Sequence, residues 1–320
     1  MKKLVLLFFI FVGTTLFAQP QNYIVVDRNG TGNFRNIQQA IDSVRAFNPA
    51  GTVTIFIKKG VYKEKLEIPT HICNVKLIGE DRDNTIINYD DHANINKMGT
   101  FKTFTLKICG TDIRLENLTV ENSAAPLGQA VALHVEGDRA VFVNCRFLGN
   151  QDTIYTGKQN ARQYFVDCYI EGTTDFIFGP STAWFEGCTI FCKRDSYITA
   201  ASTPENIKYG YVFNNCKVVL GDKVKEMYLG RPWRAYAMTL YMNCELPDGI
   251  KAVGWDHWKN EENKKTARYM EYHNTGKGAD TAGRTWTKVL TKKEAAEYTV
   301  ENVMKGYDGW NPAKEFSAKK

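Results

Sequence analysis

Apolar and polar positions in this chain return as a fixed phrase. Phe142-Val143-Asn144-Cys145-Arg146-Phe147 reappears as Phe165-Val166-Asp167-Cys168-Tyr169-Ile170, Phe185-Glu186-Gly187-Cys188-Thr189-Ile190, Phe213-Asn214-Asn215-Cys216-Lys217-Val218 and Tyr241-Met242-Asn243-Cys244-Glu245-Leu246. Each copy runs aromatic, small polar, Cys, then alternating apolar, the pattern of a strand entered through a turn. The cysteines are 23, 20, 28 and 28 residues apart, and recurrence at that period predicts stacked coils. Ile113-Arg114-Leu115-Glu116-Asn117-Leu118 reads as an earlier coil with Asn in the Cys place. The variable coil length predicts loops projecting from one side, since each strand keeps its register by its inward face.

Outside the phrase, Tyr23–Asp27, Val53–Ile57, Val75–Ile78, Thr85–Asn88 and Phe104–Ile108 read as strands between Gly and Asp/Asn clusters. Ile37, Ala40, Ile41 and Val44 recur at helical spacing and predict a helix over Asn36–Ala46 that covers one end of the solenoid. Thr291 with Glu294 is a capping box, which predicts a second helix near Lys292–Tyr298 that covers the other end. No Pro- or Ser-rich linker interrupts residues 19–320, so one all-β domain with short capping helices is expected.

The first 18 residues read as a secretory signal, with Lys2 and Lys3 before the apolar run Leu4–Val12 and Ala18-Gln19 at the cut. That run is too short to span a bilayer, and no later stretch is longer. The expectation is an exported protein, periplasmic or secreted, with no membrane span. Without Lys2 and Lys3 the chain keeps 39 basic against 35 acidic side chains, a net of +4. This mild excess suits an anionic ligand, but no dense Lys/Arg block or groove-reading helix points to nucleic acid. Eight cysteines in an exported chain raise the question of disulfides. Equivalent positions on neighbouring coils lie about 4.8 Å apart, so a bridge such as Cys168–Cys188 is within reach. A buried thiol ladder is the other reading.

The register places two acids. Asp152 lies seven residues after Cys145, and Asp175 seven after Cys168, so stacked coils put both at one lateral position. Two carboxylates about 5 Å apart repel by about 3 kcal/mol at an effective dielectric of 20, or about two pKa units. A semi-buried pair would share one proton near neutrality, giving one acid and one nucleophilic base. Solvated turn aspartates are the bland alternative. Asp195, seven after Cys188, follows Lys193 and Arg194 and reads as a surface salt-bridge residue. Gln129 and Gln151 could aim amide donors at a developing oxyanion. Arg231 in Leu229-Gly230-Arg231-Pro232-Trp233 could grip a carboxylate bidentately and lower its pKa, with Trp233 free to stack on a sugar. The five histidines form no metal-binding spacing, and no Gly-x-Ser-x-Gly elbow or dinucleotide-binding glycine motif stands in a suitable context.

Taken together, Gly60-Val61-Tyr62-Lys63-Glu64, Gln129-Ala130-Val131-Ala132-Leu133, Gln151-Asp152-Thr153-Ile154-Tyr155, Asp175-Phe176-Ile177-Phe178-Gly179 and Leu229-Gly230-Arg231-Pro232-Trp233 resemble the pectin methylesterases. The likeness runs from about Tyr23 to Trp310, with Ile154 where Leu is usual and Thr174 where Val is common. It implies a right-handed parallel β-helix acting as a monomer, without metal or organic cofactor, on methyl-esterified pectin (homogalacturonan). It also implies Asp175 as nucleophile, Asp152 as the acid and then base, Gln129 and Gln151 at the oxyanion, and Arg231 holding Asp175. Tyr155, Phe178 and Trp233 would line the sugar subsites. A β-helix lyase would want a calcium-binding acidic cluster, which is not evident. A polygalacturonase would leave the Gln and Gly-Arg-Pro-Trp motifs unexplained, and a non-catalytic binding solenoid would leave the two acids so.

Overall fold

The computed structural model describes residues 22–317. The signal segment expected over 1–18 lies outside them. Three parallel sheets, of eleven, seven and seven strands, wrap around one apolar interior as a right-handed parallel β-helix. One coil shows the plan: Ala140–Val143 belongs to the first sheet, Arg146–Leu148 to the second and Ile154–Thr156 to the third. Arg162–Val166 then opens the next coil beside Ala140–Val143.

The repeated phrase is a corner between two sheets rather than the entrance to a single strand. Its aromatic is the last residue but one of a strand of the first sheet, and its Cys directly precedes a strand of the second. Between them one residue turns the chain with left-handed backbone: Asn144 (φ 48°), Asp167 (53°), Gly187 (62°), Asn215 (53°) and Asn243 (55°). Asn, Asp and Gly are the residues that tolerate this region, which explains the small polar position. Asn117 (φ 52°) occupies the same corner, so the earlier coil carries Leu118, not Asn117, in the Cys place. The side chains of Asn144 and Asn117 are themselves linked, amide to carbonyl, at 2.8 Å.

Inside, the aromatics stack coil on coil. Phe142, Phe165, Phe185, Phe213 and Tyr241 have ring centroids 4.4, 4.7, 4.4 and 4.5 Å apart in succession. The cysteines form the thiol ladder: all eight are unpaired, and the five of the phrase are buried. Cys168 Sγ donates to the Phe142 carbonyl at 3.5 Å, and Cys216 and Cys244 reach the equivalent carbonyls of Phe185 and Phe213 at 3.3 and 3.4 Å. Each of these thiols therefore ties its coil to the one before.

The N-terminal helix is shorter than its periodicity suggests, Ile37–Asp42. Phe47 has a left-handed backbone (φ 49°) just beyond it, and Pro49 follows. Its first amides, of Ile37 and Gln38, donate to the Glu64 carboxylate at 2.9 and 3.1 Å, so the Gly60–Glu64 motif caps the helix from a neighbouring coil. The capping box of Thr291 and Glu294 opens Lys292–Ala295, and a further helix, Val300–Met304, is capped by Thr299. These two helices pack on the outer face of the first sheet rather than across the solenoid's far end: Val141, Tyr164, Trp184, Val212 and Leu240 meet Leu290, Val303 and Met304. Arg162 fastens the cover through the Met304 carbonyl (2.9 Å) and Asp308 (2.6 Å).

Candidate active site

The site lies on the third sheet and the turns that lead into it. Ile154 pairs with Ile177, so two residues earlier Asp152 stands opposite Asp175 on the next coil. The Asp152 amide donates to the Thr174 carbonyl at 3.1 Å, and the Asp175 amide to that of Tyr197 at 2.8 Å. Both aspartates have left-handed backbone, φ 67° and 50°, which Asp tolerates better than most side chains. Both are more than nine-tenths buried, Asp152 8% and Asp175 6% exposed. They share an open pocket of about 220 Å³ with Gln129, Gln151, Phe178, Arg231 and Trp233.

Asp195 does not join them. Between the second and third sheets its coil has two more residues than the coil before it, since Ile170 pairs with Ile190 but Ile177 with Thr199. Tyr197 therefore takes the position opposite Asp175. Nor does Asp195 make an ion pair among the described residues: its Oδ1 accepts the amides of Lys225 (2.6 Å) and Glu226 (3.1 Å) and so holds a turn.

Arg231 meets Asp175 as a fork, Nε to Oδ1 at 2.9 Å and a terminal guanidinium nitrogen to Oδ2 at 2.6 Å. The Leu229–Trp233 segment explains its aim. Arg231 and Trp233 donate their amides to Thr199 and Ala201, so Pro232 falls where the pairing needs no donor. Gly230 lies so close to the previous coil that a Cβ there would come within 2.0 Å of Thr199 Oγ1.

Burial and charge separate the two acids. Burial pushes the Asp152 carboxyl well above the usual carboxylate range, and the Asp175 charge raises it further against the opposing pull of Arg231 and Gln151. Asp175 is raised too: burial outweighs the Arg231 fork, which acts in the expected downward direction without winning. Only Asp175 has the bidentate cation, so of the pair Asp152 keeps its proton to higher pH.

The expected aromatics form a row. Tyr155 and Phe178 pair in register with centroids 4.8 Å apart, and Phe178 meets Trp233 at 5.9 Å. Tyr155 shares a coil with Gln151 and Asp152 but stands beside the pocket rather than in its lining. Four lining residues carry no motif that singles them out in the sequence: Thr100, Phe101, Ala200 and Trp258. Phe101 comes from a loop between coils and packs on Tyr155 at 4.8 Å. Trp258 has one local signal, the Asp two residues before it: the Asp256 carboxylate accepts the Trp258 amide at 2.6 Å and holds that residue at φ 55°.

The pectinesterase family model matches residues 23–307. Pectinesterase 31 of Arabidopsis thaliana is 37% identical over 285 residues, 85% of this chain and 89% of that protein. A probable pectinesterase/pectinesterase inhibitor of Brassica napus is also 37% identical, over 87% of this chain, but the chain spans only 50% of that longer protein. Among solved structures, pectin methylesterase from carrot superposes with a TM-score of 0.86 at 31% identity, covering 92% of this chain and 96% of its own. The chain belongs to the pectinesterase family.

Proposed function

We propose that this protein hydrolyses the methyl esters of galacturonate residues in pectin, giving methanol and de-esterified pectin through an aspartyl acyl-enzyme. The observation that carries the reading is the asymmetry of the acid pair: a buried, proton-holding Asp152 beside an Asp175 gripped by Arg231 in one open pocket. In the working form Asp175 is ionised and Asp152 neutral. An Asp175 oxygen attacks the ester carbonyl carbon, and the electron pair of its π bond moves to oxygen. The amides of Gln129 and Gln151 receive that oxyanion. As the tetrahedral species collapses, the bond to methoxide breaks and Asp152 gives the leaving oxygen its proton, releasing methanol. Asp152, now a carboxylate, takes a proton from water as the water attacks the anhydride. Collapse returns Asp175 as carboxylate and leaves the galacturonate acid, whose proton balances the cycle.

Tyr155, Phe178 and Trp233 offer apolar ring faces to the sugars. The same proposal holds that residues 1–18 direct export and that the protein acts as a monomer on cell-wall pectin. The experiment is methanol release from methylated pectin, run beside measurements of reducing ends and of unsaturated uronide absorbance. Methanol without chain shortening supports the esterase. New reducing ends would make the pair a glycosidase, and unsaturated products a lyase; retention on pectin without any reaction would leave binding alone.

A further inference from the structure

Arg231 is held from three directions. Its edge meets Asp175. Its guanidinium carbon lies 3.9 Å from the centroid of the Tyr197 ring and 3.7 Å from that of Trp258. Two rings cannot both stand within 4 Å of one planar group on the same face, so the guanidinium is sandwiched. Each ring is braced in turn. Tyr197 stacks on Tyr228 of the next coil, centroids 5.1 Å apart and planes 15° from parallel, and Trp258 is fixed by the Asp256 turn.

We propose that Tyr197 and Trp258 are positioning residues, clamping the guanidinium plane so that its fork stays aligned with the Asp175 carboxylate. A guanidinium on a free side chain swings about several bonds, and a swing that breaks one arm of the fork leaves a buried carboxylate half satisfied. Aromatic faces attract the cation and fix its plane without offering a competing acceptor. The two-residue lengthening of the coil before Ser196–Ala201 is what brings Tyr197, rather than a third aspartate, opposite Asp175. The ionisable groups facing the pair are Asp152 from the preceding coil, Asp256 from the segment after Met227–Gly230, Tyr197 itself and the buried Tyr269 phenol. The clamp acts on Asp175 through Arg231, while Asp152 feels it only at second hand.

The inference rests on the esterase reading for its kinetic arm, and a spectroscopic arm stands apart from activity. Methanol release is measured across pH for the wild type, Tyr197→Phe, Tyr197→Leu and Trp258→Leu, each checked for native circular dichroism. The Asp175 carboxyl is followed by ¹³C NMR titration, assigned through Asp175→Asn. Tyr197→Leu is expected to lower kcat about tenfold with KM within about twofold, to move the acid limb upward and to raise the Asp175 titration by the same amount. Tyr197→Phe, which keeps the ring, should restore wild-type behaviour. If Tyr197→Leu does not fold, Trp258→Leu carries the same expectation. An unmoved Asp175 titration in the folded leucine variants overturns the clamp, as does a Tyr197→Phe protein as impaired as Tyr197→Leu. A wild type that releases no methanol overturns the esterase reading alone, because the titration still decides the clamp.

Discussion

Asp152 and Asp175 occupy one place on successive coils, and among the described residues only Asp175 is gripped there by a hydrogen-bonded cation, Arg231. Strand pairing sets their proximity, the left-handed turns aim both carboxyls into the pocket, and Arg231 makes them unequal. Asp175→Asn should therefore remove a nucleophile without disturbing a turn, since Asn tolerates the same backbone region. Methanol release is expected to fall by at least about 10³-fold with the fold intact. Asp152→Asn, which cannot give up or take a proton, should lose about 10²–10⁴-fold. Near-normal turnover by either folded variant would contradict its assigned role.

The same asymmetry predicts a bell-shaped dependence of methanol release on pH. The rate needs Asp175 ionised, so it falls on the acid side as Asp175 takes up a proton. Because burial raises that carboxyl, the acid limb should lie above the ordinary aspartate value of about 3.9. The rate also needs Asp152 protonated, so it falls again on the alkaline side, at the higher pKa of the pair. Asp152→Asn should abolish the alkaline limb from what activity remains. A profile rising monotonically to high pH would contradict a protonated acid in the cycle.

Much of this is legible in the chain because a solenoid turns a three-dimensional register into a linear one. Counting seven from Cys145 and from Cys168 places both acids, since those two coils have equal lengths between the second and third sheets. The count fails at Asp195, where the coil gains two residues that no local signal marks. The phrase itself reads one element short: the left-handed corner between Phe142 and Cys145 separates two sheets, yet its Asn looks like any turn residue. Phe101 and Trp258 reach the pocket from loops, whose direction is set by tertiary packing rather than by periodicity. Val300–Met304 is hidden for a related reason, since its apolar side matches an outer sheet face that a two-sided solenoid strand does not announce.

The thiol ladder predicts selective reactivity. Cys145, Cys168, Cys188, Cys192, Cys216 and Cys244 are buried, and burial holds the thiols of the first five above their usual value, which disfavours the reactive thiolate. Only Cys73 and Cys109 are partly exposed. Alkylation of the native protein followed by mass spectrometry should label no cysteine beyond these two, and all eight should label after unfolding in denaturant. Loss of labelling at Cys168 and Cys188 in the unfolded, unreduced protein would mean that this pair is bridged.

Asp152→Asn should also change stability, in a direction that follows from proton linkage. The folded protein holds the Asp152 proton well above the ordinary carboxylate range, whereas the unfolded chain releases it near a pH of about 3.9. Between those values the folded state binds more protons, so wild-type stability declines as pH rises through the window. Below it the carboxyl is neutral in both states and costs nothing extra. The amide introduced by Asp152→Asn has no titrating proton and keeps the same turn. The variant should therefore match the wild type near a pH of about 3.5 and unfold at a higher temperature near a pH of about 7. Asp175 contributes a decline of the same sign in both proteins and cancels in the comparison, apart from the relief of its neighbour's charge. Thermal unfolding of the two proteins, from about pH 3.5 to about pH 7.5, measures the difference. A gap that stays constant, or that narrows as pH rises, would mean that Asp152 ionises in the fold as readily as in water and could not serve as the acid.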